Sequence, residues 1–501
     1  MLFKKISISL RLPFLVLSYV AFTLLAHGQE KKPLTLPETL KLANKNSLDA
    51  FKAKRQYGAG FWEYRSFKAR LLPKVDLDLQ PFTYNRSFIK RYDPENNIDV
   101  YRQQQNLDTY SQLSLSQNIM ATGATVYVNS SFNRLVNYGD NTIENFNTTP
   151  IRIGLSQPLM AFNELKWGNK TADLKYEKAK RDYLYQEQNL NLKAISLFFQ
   201  WALASTKVTI ATENKKNAIR LYEIGKKRYP LGSIERDDLL NLELETFTAD
   251  TGLAEAEQQL QEVVSDLKLF LDVENLSGFT PELPEMIPNL KIKLEKAKEL
   301  ARQNNPELLD IDIKKIHAER DLDRAVRGNR FDLSINASYG LNQQANDFAA
   351  AYSNFLDQQM VAIQFSMPLL DWGERKGNIK TARMNKEVAD IEIKQAENDI
   401  DRQILQTVNN FNLQEELVTV ALKTRDISRE SYDITEKRFL SGKIDLLRLL
   451  SARKAWQTAS EGYIQSLQSY WEYYFGVQRL TLYNFMDEAS LGHDFEKLLE
   501  D

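Results

Sequence analysis

The sequence predicts a mostly α fold that also carries a transmembrane β-barrel, built from a duplicated helix–β-hairpin–helix unit. Three observations predict it: the chain repeats itself once, its helical stretches are very long, and its strands alternate apolar with polar residues. The repeat is plainest where RYPLGSIERDDLL, from Arg228, returns as RFLSGKIDLLRLL, from Arg438. Arg228/Arg438, Gly232/Gly442, Ile234/Ile444, Leu239/Leu449 and Leu240/Leu450 all stand 210 residues apart, as do Pro158-Leu159 and Pro368-Leu369. A constant offset over about 90 residues means that the second half rebuilds the first. Upstream the match shifts, because Asp76 in PKVDLDL answers Asp332 in RFDLSI 256 residues on. The first half therefore holds 46 extra residues between those points.

The start of the chain reads as an address. Met1 to Gly28 has Lys4 and Lys5, an apolar run from Leu12 to Leu25, and Ala26-His27-Gly28, the form of an export signal cut before Gln29. The chain has no cysteine, which excludes a thiol-linked lipid, a disulfide and a thiolate metal site. Its formal net charge is −2, and loss of Lys4, Lys5 and Arg11 with the signal makes the mature chain more acidic. That mild, mixed charge gives no reason to expect nucleic acid. Beyond the signal no apolar stretch reads as long enough for a spanning helix, so any crossing is made by strands.

The strands are visible. Val75, Leu77 and Leu79 alternate with Asp76, Asp78 and Gln80, and Phe331, Leu333, Ile335, Ala337 and Tyr339 alternate with polar neighbours. Ile151, Ile153 and Leu155 repeat the pattern before Pro158, as Val361, Ile363 and Phe365 do before Pro368. Period two places one apolar and one polar face on each strand, as a barrel with lipid outside and water inside requires. Trp372 at the second strand–helix junction, matched by Phe162 at the first, suits an interfacial aromatic belt.

The rest reads as helix. About 164–229 carries no proline, and at about 1.5 Å per residue forms roughly 100 Å of rod; about 374–440 matches it. Each rod ends in a turn at Gly232 or Gly442 and is followed by a return helix. Gly232 can end one helix in a left-handed conformation and Ser233 can cap the next, with Glu235, Asp237 and Asp238 favouring the positive helix start. The return helices carry seams of apolar residues spaced by three or four, among them Ala256, Leu260, Leu267 and Phe270, and Trp456, Tyr463, Leu467, Tyr470 and Val477. Single helices are expected over 36–72 and 292–327, before the first strand of each half. Pro281, Pro284 and Pro288 exclude regular helix between the repeats. One chain has too few strands to close a pore, and open edges do not survive in lipid, so several copies must share one barrel.

These features resemble the TolC family of outer-membrane efflux and secretion channels. The resemblance rests on the signal, the duplicated unit, SQPLMAFNE at Ser156, SMPLLDWGERKG at Ser366, and the G-x5-[DR]-[LV]-L turns at Gly232 and Gly442. It implies a homotrimer with a trimer-shared β-barrel in the outer membrane and a long, coiled-coil-like α-helical tunnel through the periplasm. Its implied partners are outer-membrane lipid, a periplasmic adaptor (a membrane fusion protein) and an inner-membrane RND or ABC transporter. The expected function is the passive exit duct of a tripartite efflux pump or type I secretion system, with no cofactor or metal. The boundaries that follow are a signal peptide at 1–28, a first repeat at 29–272 with strands about 74–158, and a linker and equatorial region at 273–290. A second repeat then covers 291–486 with strands about 330–367, and an acidic, solvated tail covers 487–501.

The sequence departs from the family twice. Family members commonly narrow the entrance with second-half aspartates at positions matching Arg448 and Ser451, and neither is a carboxylate here. By resemblance the gate candidates are Asp238, Arg448, Asp237, Asp445 and Ser451. Asp238 and Arg448 are either a charge pair that holds the entrance shut or two solvated charges. The second departure is the 46-residue excess, in which LSQNIMA at Leu115 nearly copies LSQPLMA at Leu155. It is either an extra spanning hairpin, giving about 18 strands per trimer in place of the family's 12, or an extended hairpin standing outside the cell. The second, extracellular or irregular, is preferred, since the tunnel has no matching extra staves.

An enzyme is not expected. After the signal only His317 and His493 remain, and there is no glycine-rich phosphate loop, HExxH or G-x-S-x-G. The alternative from another class is an exported helical-hairpin scaffold or periplasmic adaptor without a pore.

Overall fold

The computed structural model describes residues 32–139, 141–276, 278–284 and 287–499. The export signal at Met1–Gly28 lies outside the described residues, as do Glu500 and Asp501 of the acidic tail. In chain order the larger elements are β1 (Lys32–Thr35), α1 (Leu36–Asn46), α2 (Leu48–Ala69), β2 (Lys74–Asp93), β3 (Ile98–Ile119), β4 (Ala124–Tyr138) and β5 (Ile143–Pro158). Then come α3 (Glu164–Arg228), α4 (Arg236–Leu271), β6 (Phe279–Glu282), α5 (Leu294–Asn304), α6 (Pro306–Gly328), β7 (Asp332–Ala345) and β8 (Leu356–Ser366). Last are α7 (Glu374–Leu440), α8 (Leu446–Thr481), β9 (Tyr483–Asn484) and β10 (Ala489–Ser490). The two rods are unbroken at 65 and 67 residues.

The chain divides into two compact units that cut across the sequence repeats, each taking a share of both halves. One unit spans 54–183, 300–403 and 492–501 and holds the large sheet, in the order β2-β3-β4-β5-β7-β8 with every neighbouring pair antiparallel. The 46-residue excess continues the sheet as regular strands. Gln117 lies opposite Val126 and Val126 opposite Leu155, so the extra pair starts level with the older ones. Its distal part does stand free: β3 beyond Gln105 has left β4 behind, and Ile98–Gln104 pair only with Ser87–Asp93 of β2. At about 3.3 Å per residue that free ribbon projects roughly 20 Å.

The helices before the strands are not single. Ser47 ends α1 in extended backbone, and its Oγ accepts from the Ala50 amide at 3.2 Å. Asn305 does the same between α5 and α6, its Oδ1 accepting from Glu307 at 2.8 Å, and Pro306 takes the first helical position. A residue before proline is pushed out of the helical region, and proline at a helix start loses no bond. In the unit that holds the sheet the tail is not simply solvated, since Phe495 packs 5.3 Å from Tyr57 and 6.2 Å from Tyr183.

Among the described residues the other unit takes in 32–53 and those within 184–299 and 404–491. Its core is the seam side of α8, where Tyr470, Leu467, Tyr474, Val477 and Leu480 are buried, together with Ile195, Phe198 and Phe199 of α3. That part of α3 belongs to the one described helix apolar and long enough to cross a membrane by composition. The sequence reading had found none; burial of these side chains within the unit accounts for the apolar run. The inter-repeat linker is fastened rather than free. Asn412 bonds both the N–H and the C=O of Ile292 at 2.9 Å, and the Tyr470 hydroxyl donates to the Pro288 carbonyl at 2.8 Å. Pro281 lies in β6, which pairs in parallel with β1.

Within the sheet Tyr127 lies flat on Gly154, so that a Cβ built there would stand 2.2 Å from the ring. The Gly154→Ala variant should lose about 1–3 kcal/mol through overpacking, read as a lower melting temperature in detergent. An unchanged melting temperature would show that Tyr127 is free to swing away.

Candidate functional site

Two regions carry the functional candidates: the wall formed by the sheet, and the helix turns at Gly232 and Gly442. In the wall, strand register sorts side chains into rows. Val75 faces Leu115, Leu115 faces Val128, Val128 faces Ile153, and Ile153 faces Tyr339. Leu155, Ala337 and Val361 make a second row, then Ile335 with Ile363, and Leu333 with Phe365. This face is bare within the chain, with Val361 76%, Ile363 70% and Val75 64% exposed. The opposite face is polar. Asp76, Ser114, Asn129, Arg152, Gly340 and Gln358 form one continuous row, and Arg152 Nε donates to Asn129 Oδ1 at 3.1 Å.

Aromatic side chains bound the apolar face. At one end the β7–β8 loop folds onto it, setting Phe348 edge-on to Phe132 and Phe146 at 5.8 and 5.9 Å, with Tyr352 5.3 Å from Phe348. At the other end Leu369 and Trp372 stand almost wholly exposed, Trp372 in a left-handed backbone at φ 51°. Phe162, its partner in the repeat, is covered by the Arg324 guanidinium at 4.6 Å. Pro158 closes β5, paired with Ser334, while Pro368 follows the end of β8. Next to Trp372, Asp371 caps α7: its carboxylate accepts from Arg375 Nε at 2.6 Å and from the amides of Arg375 and Gly373. Those bonds, the guanidinium's first, hold its carboxyl down at about 2.

The two turns share one construction. Gly232 (φ 69°) and Gly442 (φ 72°) are left-handed, and in each the following amide reaches back to the last turn, Ser233 to Arg228 and Lys443 to Arg438. Ser233 is thereby used to close the first helix and does not cap the second; Glu235 stands at that cap without a side-chain bond. In the second half Asp445 does cap, accepting from the Arg448 amide at 2.8 Å. Asp237 and Asp238 occupy the first turn of α4, and Arg448 and Ser451 the exposed start of α8. The structure brings no ion pair between Asp238 and Arg448 within the chain.

What joins the two halves near the turns lies elsewhere. Arg429 of α7 grips Glu213 of α3 with two nitrogens, both at 3.3 Å, and Arg220 of α3 returns the contact to Glu436 of α7 at 2.5 Å. Arg453 of α8 meets Glu245 of α4 at 2.6 Å, both side chains four-fifths buried. Tyr432 stacks on Trp456 at 5.4 Å, Arg429 covers Trp456 at 4.3 Å, and Asn217 donates to the Tyr432 hydroxyl at 3.1 Å. Ile210, Leu221, Leu242, Leu446 and Leu449 complete this cluster. Sequence reasoning missed it, although a signal was present: at the 210 offset Glu213, Arg220, Lys226 and Glu243 are answered by Lys423, Glu430, Glu436 and Arg453. The turns are copied and these four charges are reversed, while Lys215/Arg425, Glu223/Asp433 and Arg228/Arg438 keep their sign.

The two histidines that follow the signal stand in separate settings. His317 lies on α6, where burial first, then Arg320 and Lys175, lower its pKa, while His493 meets Tyr183 edge-on at 5.4 Å. Among the described residues no group of three or more His, Asp or Glu could hold a metal ion.

The Outer membrane efflux protein family model matches residues 39–271 and 298–474. The chain is 23% identical over 335 residues to Outer membrane protein TolC of Escherichia coli strain K12, covering 63% of this chain and 65% of that protein. It is likewise 23% identical over 332 residues to Outer membrane protein TolC of Salmonella enteritidis. The chain thus spans just under two thirds of the length of the curated relatives it matches. Among solved structures, the Campylobacter jejuni CmeC outer membrane channel superposes with a TM-score of 0.64 at 15% identity, over 93% of this chain and 88% of that one. The open state of the Neisseria gonorrhoeae MtrE outer membrane channel gives 0.58 at 13% identity, over 91% of each.

Two outcomes test the site's construction. Because the Asp371 carboxyl lies below its unfolded value of about 3.9, it favours the fold above that pH and loses this contribution as pH falls towards 2. Asp371→Asn should flatten the fall in melting temperature between about pH 4 and 2, while an unchanged profile would remove the cap from the account. Arg453→Met leaves Glu245 unpaired and should cost about 2–4 kcal/mol, with Glu245→Leu added beside it recovering most of the loss. Failure of the second substitution to restore the melting temperature would overturn the pairing.

Proposed function

Because this chain belongs to the outer membrane efflux protein family, we propose that it is an outer-membrane exit duct whose wall is shared between copies. The carrying observation is the sheet's bare apolar face beside two unpaired edges. β2 and β8 each expose one row of backbone donors and acceptors, and an unsatisfied group in hydrocarbon costs several kcal/mol. Closure against further copies satisfies both edges, turns the apolar rows to lipid, and turns the Asp76–Gln358 row to water. The family's homotrimer sets the copy number, and three six-stranded sheets make 18 strands. A narrower wall would need β8 to pair with β4, and both edges of β4 are taken, by β3 and β5.

β7 from Leu333 to Leu341 and the 11 residues of β8 match the 9–11 residues with which a tilted strand crosses a membrane. The aromatic groups at Phe348–Tyr352 and at Trp372 then lie at the two interfaces. On this reading the turns at Gly232 and Gly442, with Asp237, Asp238, Asp445, Arg448 and Ser451, face a periplasmic adaptor and an RND or ABC transporter, and the chain carries out no chemistry. A soluble scaffold or adaptor is disfavoured by the exposed aliphatic rows, which water would not tolerate at this size.

Purified protein in a planar lipid bilayer should show discrete conductance steps, and a peptide tag at Asn96 should be labelled on intact cells. Silent bilayers with well-folded trimers would overturn the duct. A tag protected in intact cells but accessible from the periplasm would overturn the orientation.

A further inference from the structure

Below the sheet, where α2 leads into β2 and β5 into α3, the unit that holds the sheet encloses a recess of about 190 Å³ between α2, α3 and α6. Its aromatic lining is built tightly. Phe67 lies so close to α3 that a Cβ on Gly168 would stand 2.7 Å from the ring, and Tyr64 stacks on Tyr176 at 4.7 Å with the planes 9° apart. Trp167 completes the lining, its indole N–H donating to Asp323 at 2.9 Å. Thr171 and Ala172, both buried, leave room that larger side chains would fill.

The repeat shows that these rings are no by-product of helix packing. In the second half α6 and α7 enclose the counterpart cavity, where Ala382, Asn385 and Lys386 stand in place of Ala172, Lys175 and Tyr176. Gly377 stands in place of Trp167, and among the described residues no Phe, Tyr or Trp lines that cavity. One backbone plan thus gives a cavity with rings and a cavity without them.

Charge decides what the recess can hold. A cation already lies over each ring: Lys68 over Tyr64 at 5.2 Å, Arg70 over Phe67 at 5.5 Å, Lys170 over Trp167 at 3.9 Å and Lys180 over Tyr176 at 4.5 Å. A cationic ligand would find those rings in use and like charges beside them. The two carboxylates of the lining are engaged, Glu164 by Arg324 and Glu63 by Lys175 at 3.6 Å. Arg70 is exposed and meets no carboxylate among the described residues, which leaves its planar fork of donors for an incoming anion. His317 also lines the recess, its Nδ1 buried and without a hydrogen-bond partner among the described residues. The volume suits one ring with a short substituent, since a cavity of about 150 Å³ holds benzene.

We propose that this recess binds a small aromatic carboxylate, its ring against Phe67 and Trp167 and its carboxylate in the fork of Arg70, one molecule to each copy. The site does not depend on the duct reading.

The test uses para-fluorobenzoate, followed by fluorine NMR with the purified protein in detergent. Its resonance should broaden saturably on adding protein. The resonance of para-fluorobenzylamine, a similar ring with the opposite charge, should broaden no more than detergent alone produces. Arg70→Gln should weaken benzoate binding about tenfold, the worth of one charged hydrogen bond. Because Arg70 is exposed, the melting temperature of that variant should hold. Ala172→Met should fill the recess and abolish binding, whereas Ala382→Met, at the matching position of the second half, should leave it intact. Equal binding of the amine, or benzoate binding that survives both Arg70→Gln and Ala172→Met, would overturn the site. Benzoate binding by a protein that stays silent in bilayers would uphold the recess and remove only the duct.

Discussion

A backbone amide at the edge of a sheet finds a partner in water at little cost and finds none in hydrocarbon. The rest of this molecule depends on that difference. Six antiparallel strands satisfy one another along five ladders and leave the outer edges of β2 and β8 unmatched. The alternation along every strand makes one face unsuited to water. Neither problem has a solution within the sheet itself, and the proposed sharing of one wall between copies, closed as a ring, answers both. The aromatic side chains at both ends of the apolar rows and the cap at Asp371 fix where that ring passes from strand to helix.

Duplication supplies the ring with staves, and divergence makes them fit. The Schellman-type turns at Gly232 and Gly442 are near copies because a left-handed residue and two returning amides define the reversal whatever the side chains are. Some flanking charges changed sign, Arg220 against Glu430, Lys226 against Glu436 and Glu243 against Arg453. Those changes let Arg220 meet Glu436 and Glu245 meet Arg453 where an unchanged copy would set like charges together. Head-to-tail contacts between unlike faces are the kind that close rings.

Much of this was legible in the residues, and the misses have physical causes. Period-two alternation and the 210-residue offset give strands, rods and turns because those patterns are set locally. The breaks at Ser47 and Asn305 were hidden because serine and asparagine are unremarkable until their side chains turn to the backbone two or three residues on. Ser233 has the chemistry of a cap, but its amide was needed by the preceding helix. The count of staves in the rods could not reveal that the excess pairs continuously with the sheet, β3 bonding to β4 from Gln105 to Ile119. Phe495 sits in a run that composition marks as solvated, and one aromatic ring against Tyr57 and Tyr183 outweighs it.

The β2–β3 ribbon outruns β4 and ends in a compact turn, where Asn96 bonds Asp93 and the Tyr92 hydroxyl donates to Asn97. Nothing beyond the ribbon's own two strands leans on that turn. Residues there can be exchanged or lengthened at small folding cost, because insertions at exposed loop tips disturb no packed ladder. In the proposed orientation that turn is the outermost point of the chain. Its outward surface can then change by drift at one tip while the ladders from β3 to β8 keep their register.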